Sequence, residues 1–154
     1  MQERGEEIKR IPTTGVVVFR QNPEDSEITE TLLIRNGERA GHITNTYGTA
    51  GGRIEAGEAT LDAAVRELQE ETGLIANAED LRKLDKIYDT DLPRKDGVLR
   101  VSHTVFVCTK FEGELTPEED TSFPEWVDIR KINELNLGIN IADMVSEAQK
   151  LLAQ

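Results

Sequence analysis

The chain has 154 residues, enough for one domain that buries about two-thirds of its unfolded surface, and carries a formal net charge of −12 with a pI near 4.6. That charge disfavours a protein whose affinity comes from neutralising many nucleic-acid phosphates, although a bound cation can still bring a small anionic ligand to such a surface. The single cysteine, Cys108, excludes an intrachain disulfide, and no apolar run approaches the ~20 residues of a membrane span.

The start, Met1-Gln2-Glu3-Arg4-Gly5-Glu6-Glu7, is charged and lacks the apolar core of a secretory signal. A soluble cytoplasmic protein is the expectation, with residues 1–10 as a flexible lead-in to a single domain over 1–154. Thr14 to Phe19 is β-branched and apolar and reads as a strand, as does Glu30 to Ile34 after the turn-rich Asn22-Pro23-Glu24-Asp25. Asn36 to Ala50 reads as a long loop, and Gly51-Gly52 as a tight backbone turn. From Ala59 to Thr72 the residues are good helix formers, with Leu61, Val65 and Leu68 spaced as a core-facing stripe and Gly73 placed to cap the end.

Leu81 to Thr90 and Leu99 to Phe111 read as two strands of a hairpin closed near Asp96-Gly97. Glu112 to Pro124 is an acidic loop, Trp126 to Ile129 a short strand, and Ile141 to Leu152 an amphipathic helix with Met144, Ala148 and Leu151 on one side. There is no internal repeat. Strands mixed with two well-spaced helices imply a sheet covered by helices. Cys108, in the apolar stretch Val105-Phe106-Val107, is expected as a buried, inert thiol.

Glu67, Glu70 and Glu71 stand at i, i+3 and i+4 of the predicted helix, so their carboxylates can converge on one point. At ~100° per residue the apolar stripe centres near ~10° and the glutamates near ~230°, on a separate face. Three acids so close repel one another unless a cation intervenes, and hard oxygen ligands suit Mg²⁺, or Mn²⁺ in its place. Taken alone, the glutamates are better explained as a solvated acidic helix than as a metal site.

Their setting decides between the two. The chain reads Gly52, five residues, Glu58, seven residues, then Arg66-Glu67-Leu68-Gln69-Glu70-Glu71-Thr72-Gly73-Leu74. This resembles the Nudix hydrolases, whose signature is G-x₅-E-x₇-R-E-U-x-E-E-x-G-U with U a bulky aliphatic residue, and every specified position is matched. Seven fixed positions, each met by chance roughly once in fifteen, give a coincidence on the order of 10⁻⁸ per register.

The resemblance implies an α/β fold of the Nudix type, an α/β/α sandwich with a mixed β-sheet between helices. It implies Mg²⁺-dependent hydrolysis of a phosphoanhydride bond, by water attack at phosphorus, in a nucleoside diphosphate linked to another moiety: a nucleoside triphosphate, a nucleotide sugar or ADP-ribose. Carried over by position, Glu67, Glu70 and Glu71 ligate the metal with the Gly51 carbonyl, while Glu58 and Arg66 position them and complete, with Glu67 and Glu70, the catalytic group. Tyr47, Gly52, Glu118 and Glu119 are candidate substrate contacts, and the general base is either a motif glutamate or one of the later acids Glu118, Glu119 and Glu125. The partner is a small anionic nucleotide-like molecule rather than bulk nucleic acid or a membrane; many relatives are homodimers.

Against the family's usual pattern, Ala50 replaces the proline that often precedes the paired glycines. The proline about fifteen residues after the motif in ADP-ribose-cleaving members, and the tyrosine about seventeen after in those cleaving diadenosine polyphosphates, fall on Asp89 and Asp91, with Tyr88 and Pro93 close by. His103 reads as a core or edge histidine, His42 is uninformative, and Phe123 and Trp126 fit a core or a base-stacking role. Two further readings compete: a nucleotide-binding module without turnover, which would usually have lost motif carboxylates, and an isopentenyl-diphosphate isomerase relative, which would need an activated cysteine.

Overall fold

A computed structural model of the chain describes residues 9–37, 44–116 and 122–154. Seven strands run in the order β1 (Ile11–Asn22), β2 (Asp25–Asn36), β3 (Tyr47–Gly48), β4 (Ala50–Arg53), β5 (Leu81–Arg94), β6 (Gly97–Cys108) and β7 (Ser122–Asp128). Helix α1 (Thr60–Thr72) lies between β4 and β5, and α2 (Ile141–Leu152) closes the chain. The opening residues 1–8, with His42, Glu118 and Glu119, lie outside the described residues.

The sheet is mixed because β1 takes two sets of neighbours. Its first part, Ile11 to Val18, runs parallel to β6, and within that stretch Thr13 to Val16 pair antiparallel with β4. Its end, Phe19 to Asn22, pairs with β2, which carries β3 and β7. Period-two alternation then sends neighbouring side chains to opposite faces. Val16, Val18, Leu32, Ile34, Phe106 and Cys108 pack beneath Ala64 and Leu68 of α1. Val17, Phe19, Leu33, Val105 and Val107 pack beneath Met144, Val145 and Ala148 of α2. The result is the expected α/β/α sandwich with a core on each side of the sheet.

Several local expectations are corrected. Within the stretch read as a loop, Asn36 ends β2, Tyr47–Gly48 form β3 against Ile34 and Arg35, and Ala50 begins β4. A two-residue strand has no periodicity to announce it. Gly51 and Gly52 are extended strand rather than a turn, opposite Gly15 and Thr14. Their lack of a side chain serves close approach: a Cβ on Gly51 would overlap the Thr14 carbonyl oxygen. The β5–β6 turn centres on Lys95-Asp96, and Gly97, at φ 138°, opens β6 instead of sitting in the turn.

β6 ends at Cys108 rather than Phe111. β7 begins at Ser122, so the last residues of the acidic loop are strand, and Ile129 starts a short 3₁₀ turn. Pro124 is tolerated because β7 pairs only with β2. The two helices fall where expected, and Gly73 caps α1 at φ 85° with its N–H donating to the Gln69 carbonyl at 2.9 Å. Among the described residues no helix is long and apolar enough to cross a membrane.

Candidate functional site

Helix α1 lies across β4 and β1, and its buried residues are Ala63, Ala64, Leu68 and Thr72, while Leu61 and Val65 are only partly buried. The buried sector therefore reaches round to Ala63, on the side of the glutamates, and the two faces are adjacent rather than separate. The physical reason is β4, whose glycines let the helix approach where larger residues would hold it off. A Cβ on Gly52 would stand 2.7 Å from the Glu67 carboxylate.

Arg66 organises the acids. Its Nε and Nη2 donate to the two oxygens of Glu58 at 2.8 and 2.9 Å, and its Nη1 donates to Glu67 Oε1 at 2.8 Å and Glu70 Oε1 at 3.0 Å. Nη2 also donates to the Arg53 carbonyl at 3.1 Å, which ties the cluster to the end of β4. This goes well beyond a helix salt bridge, because the planar fork fixes three carboxylates at once. Arg66 and the amide of Glu55 together hold the Glu58 carboxyl down to about 2, so Glu58 is a permanent anion. Burial pushes the Glu67 carboxyl up against the lowering effect of Arg66, with Glu70 and Glu58 adding to the rise.

Glu71 goes elsewhere. It accepts the Gly51 N–H at 2.6 Å. The structure thus brings Glu58, Glu67 and Glu70 together on Arg66 and places Glu71 on β4, rather than gathering all three motif glutamates at one point. Among the described residues no three His, Cys, Asp or Glu side chains are arranged to hold a metal as they stand. The donor set is nevertheless all hard oxygen, and the absence of a Cβ at Gly52 leaves the Glu67 carboxylate its space.

Beside these residues opens a cavity of about 440 Å³ that reaches Gly51, Gly52, Glu67, Glu71 and Tyr47. The more exposed Glu70 stands outside it. Most of the wall comes from residues without a local signal in the sequence: Thr13 of β1, Thr90 and Leu92 of β5, Leu99 and His103 of β6, and Asn140 before α2. Tyr88 and Pro93, neighbours of the positions where the family's substrate marks fall, line it as well. Strand pairing, with Asn140 reaching Thr90 from the start of α2, brings these positions side by side.

His103 lies in the middle of β6 and lines the cavity, rather than being a plain core residue. Its Nδ1 shares a 2.6 Å hydrogen bond with the Thr13 hydroxyl, and burial lowers its pKa to about 4. Trp126 stacks on Phe111 at 5.5 Å beneath Arg20, on the α1 side of the sheet, as a packing residue. Arg35 lies over Phe123 and pairs with Glu125 at 3.5 Å, and neither of those two lines the cavity. Cys108 is fully buried, its thiol pushed up by burial, with Sγ donating to the Lys110 carbonyl at 3.2 Å. An activated nucleophile needs the opposite environment.

Comparison with known proteins shows the fold and the family. The chain is 33% identical over 89 residues to an ADP-ribose pyrophosphatase of Methanocaldococcus jannaschii, a match covering 58% of this chain and 50% of that protein. A MutT/nudix family protein from Enterococcus faecalis superposes with a TM-score of 0.76 at 19% identity, over 99% of this chain and 65% of that one. The NUDIX domain of Shewanella oneidensis NrtR, solved in complex with ADP ribose, superposes with a TM-score of 0.69 at 14% identity, over 95% and 90%. The chain thus spans half the length of the curated relative and about two-thirds of the first structural one. The NUDIX domain model matches residues 9–152, from just before β1 to the end of α2, and the chain belongs to that family.

Proposed function

We propose that this chain is a divalent-metal-dependent pyrophosphohydrolase that cleaves the phosphoanhydride bond of a nucleoside diphosphate linked to another moiety. The observation that carries the reading is the Arg66 fork, which gathers Glu58, Glu67 and Glu70 beside a cavity reached by Glu67 and Glu71. An acidic helix that served only solubility would have no reason to hold its carboxylates on a partly buried arginine against an open cleft. The ADP-ribose pyrophosphatase likeness and the ADP-ribose-bound NUDIX domain support a nucleotide of the ADP-ribose class as the first substrate to test.

Glu67, Glu70 and Glu71 would hold Mg²⁺, with the Gly51 carbonyl. Gly51 gives its N–H to Glu71 from the open edge of β4, and in a strand the N–H and C=O of one residue leave by the same edge. When bound, the metal supplies charge neutralisation of the diphosphate and a water of lowered pKa. Arg66 keeps Glu67 and Glu70 within reach of one another, and Glu58, anionic down to about pH 2, braces Arg66. The cavity beside them offers apolar surface from Leu92, Leu99 and Val101 to the rest of the substrate.

Purified protein incubated with Mg²⁺ and a panel including ADP-ribose, nucleotide sugars and nucleoside triphosphates should release a nucleoside monophosphate. Glu70→Gln should abolish turnover, and EDTA should stop it. Turnover that survives EDTA, or ligand binding without product after prolonged incubation, would overturn the reading.

A further inference from the structure

We infer that the nucleoside half of the substrate lies lengthwise along the β5–β6 surface, its base over Val101 with its far edge toward Leu92 and Leu99, and a ribose hydroxyl on His103. His103, positioned by Thr13, is then the residue that determines specificity for the sugar. This rests on the cleft being the substrate site proposed above.

The strand register sets the order of groups along the cavity. Leu92 faces Leu99, Thr90 faces Val101 and Tyr88 faces His103 across β5 and β6, while Thr13 of β1 stands beside His103 on the other side. All seven line the cavity, together with Gly51, Gly52 and Glu67 beyond Thr13. The floor therefore runs from Arg94 and the apolar Leu92–Leu99 pair near the hairpin end, through Thr90 and Val101 and then Tyr88 and His103, to the carboxylates. Two residues of strand separate Val101 from His103, or about 7 Å at ~3.3 Å per residue, which suits the reach of a base from its ribose hydroxyls, and Leu99 lies two residues further. With the diphosphate at the carboxylates, the ribose follows at the polar row around His103 and the base over Val101, its far edge toward Leu92 and Leu99.

Most polar groups of that row are already taken. The Tyr88 hydroxyl donates to Asp143 Oδ2 at 2.6 Å, the Thr90 hydroxyl accepts from Asn140 Nδ2 at 2.8 Å, and the Thr13 hydroxyl is on His103 Nδ1. His103 Nε2 makes no hydrogen bond among the described residues. It sits 2.8 Å from where a Cβ on Gly15 would stand, so only glycine there leaves the ring its place. Burial keeps the ring uncharged down to about pH 4. With Nδ1 engaged, Nε2 offers one donor or one acceptor, and a hydroxyl satisfies either. A neutral imidazole suits such a group better than a phosphate.

The experiment has two arms, both with the full chain. Calorimetric titration with AMP, 2′-deoxy-AMP and 3′-deoxy-AMP reads the contact without turnover, and kcat and KM with ADP-ribose and its deoxy analogues read it in catalysis. Wild type should bind at least one deoxy analogue about tenfold more weakly, with the loss in KM rather than kcat. His103→Ala should bind all three alike, at the level of the poorer analogue, and Thr13→Val should lose part of the discrimination. His103→Phe, which keeps the ring volume without a hydrogen-bonding nitrogen, gives the same test if the alanine variant fails to fold. Discrimination that persists in the His103 variants overturns the inference, as does a His103 effect that follows a change of base instead of sugar. Hydrolysis that fails while the binding pattern holds would sink the catalytic reading and leave this one standing; no nucleotide binding at all would sink both.

Discussion

Replacing Gly52 by alanine separates the site from the fold. The new Cβ would lie 2.7 Å from Cδ and from both oxygens of Glu67, where ordinary contacts begin near 3.4 Å, so the whole carboxylate must retreat by roughly 0.7 Å. That retreat stretches the 2.8 Å hydrogen bond from Arg66 Nη1 to a length at which little of it survives. The atoms in the way are the far end of a flexible side chain, so the fold absorbs the change at an off-rotamer cost of about 1 kcal/mol, or ~2–4 °C in Tm. Catalysis is less forgiving, since a misplacement approaching 1 Å costs on the order of 10²-fold in rate. Steady-state kinetics on the preferred substrate, with Tm by calorimetry, should therefore show kcat reduced about a hundredfold and a nearly native melting curve. Activity within twofold of wild type would refute the placement of Glu67 in the reaction. Gly51→Ala is the contrasting variant, because its Cβ overlaps the backbone of Thr14 and should cost stability first.

Arg66→Lys keeps the charge but loses the fork that reaches Glu58, Glu67 and Glu70. Turnover should fall at least tenfold while the urea midpoint drops by the equivalent of ~1–3 kcal/mol; unchanged kcat would reduce Arg66 to a structural ion pair. His103, neutral in the fold down to about pH 4, takes up a proton near 6.5 once unfolded. Its contribution to stability is thus fully present above about 6.5 and is lost as the pH falls toward 4, by at most about 3 kcal/mol. Urea unfolding at pH 7 and pH 4.5 should show a smaller loss for His103→Gln than for wild type, and equal losses would contradict the assignment. Cys108 should resist thiol reagents until the protein unfolds, and Cys108→Ala should keep its turnover while losing ~1 kcal/mol of stability; rapid labelling of the native protein would be inconsistent with its burial.

The sequence by itself determined the two helices, the centres of β1, β2, β5 and β6 and the family, because each is written in local spacing. The apolar positions of α2 recur at helical intervals, the glycine past α1 marks its end, and the run from Gly52 to Leu74 holds its spacing within one turn-and-helix unit. It could not give β3 or the true character of Gly51 and Gly52, whose conformations are imposed by β2 and β1 across the sheet. Nor could it say how the glutamates are shared out. Helical spacing puts Glu67, Glu70 and Glu71 on one face, but the choice between Arg66 and the Gly51 amide depends on where β4 lies against α1. The cavity is the extreme case. Thr13, Thr90, Leu99, His103 and Asn140 lie up to 127 positions apart, and only the parallel register of β1 with β6, the antiparallel register of β6 with β5 and the docking of Asn140 on Thr90 make them neighbours. The motif's chemistry is local and legible, whereas the surface facing the rest of the substrate comes from long-range pairing.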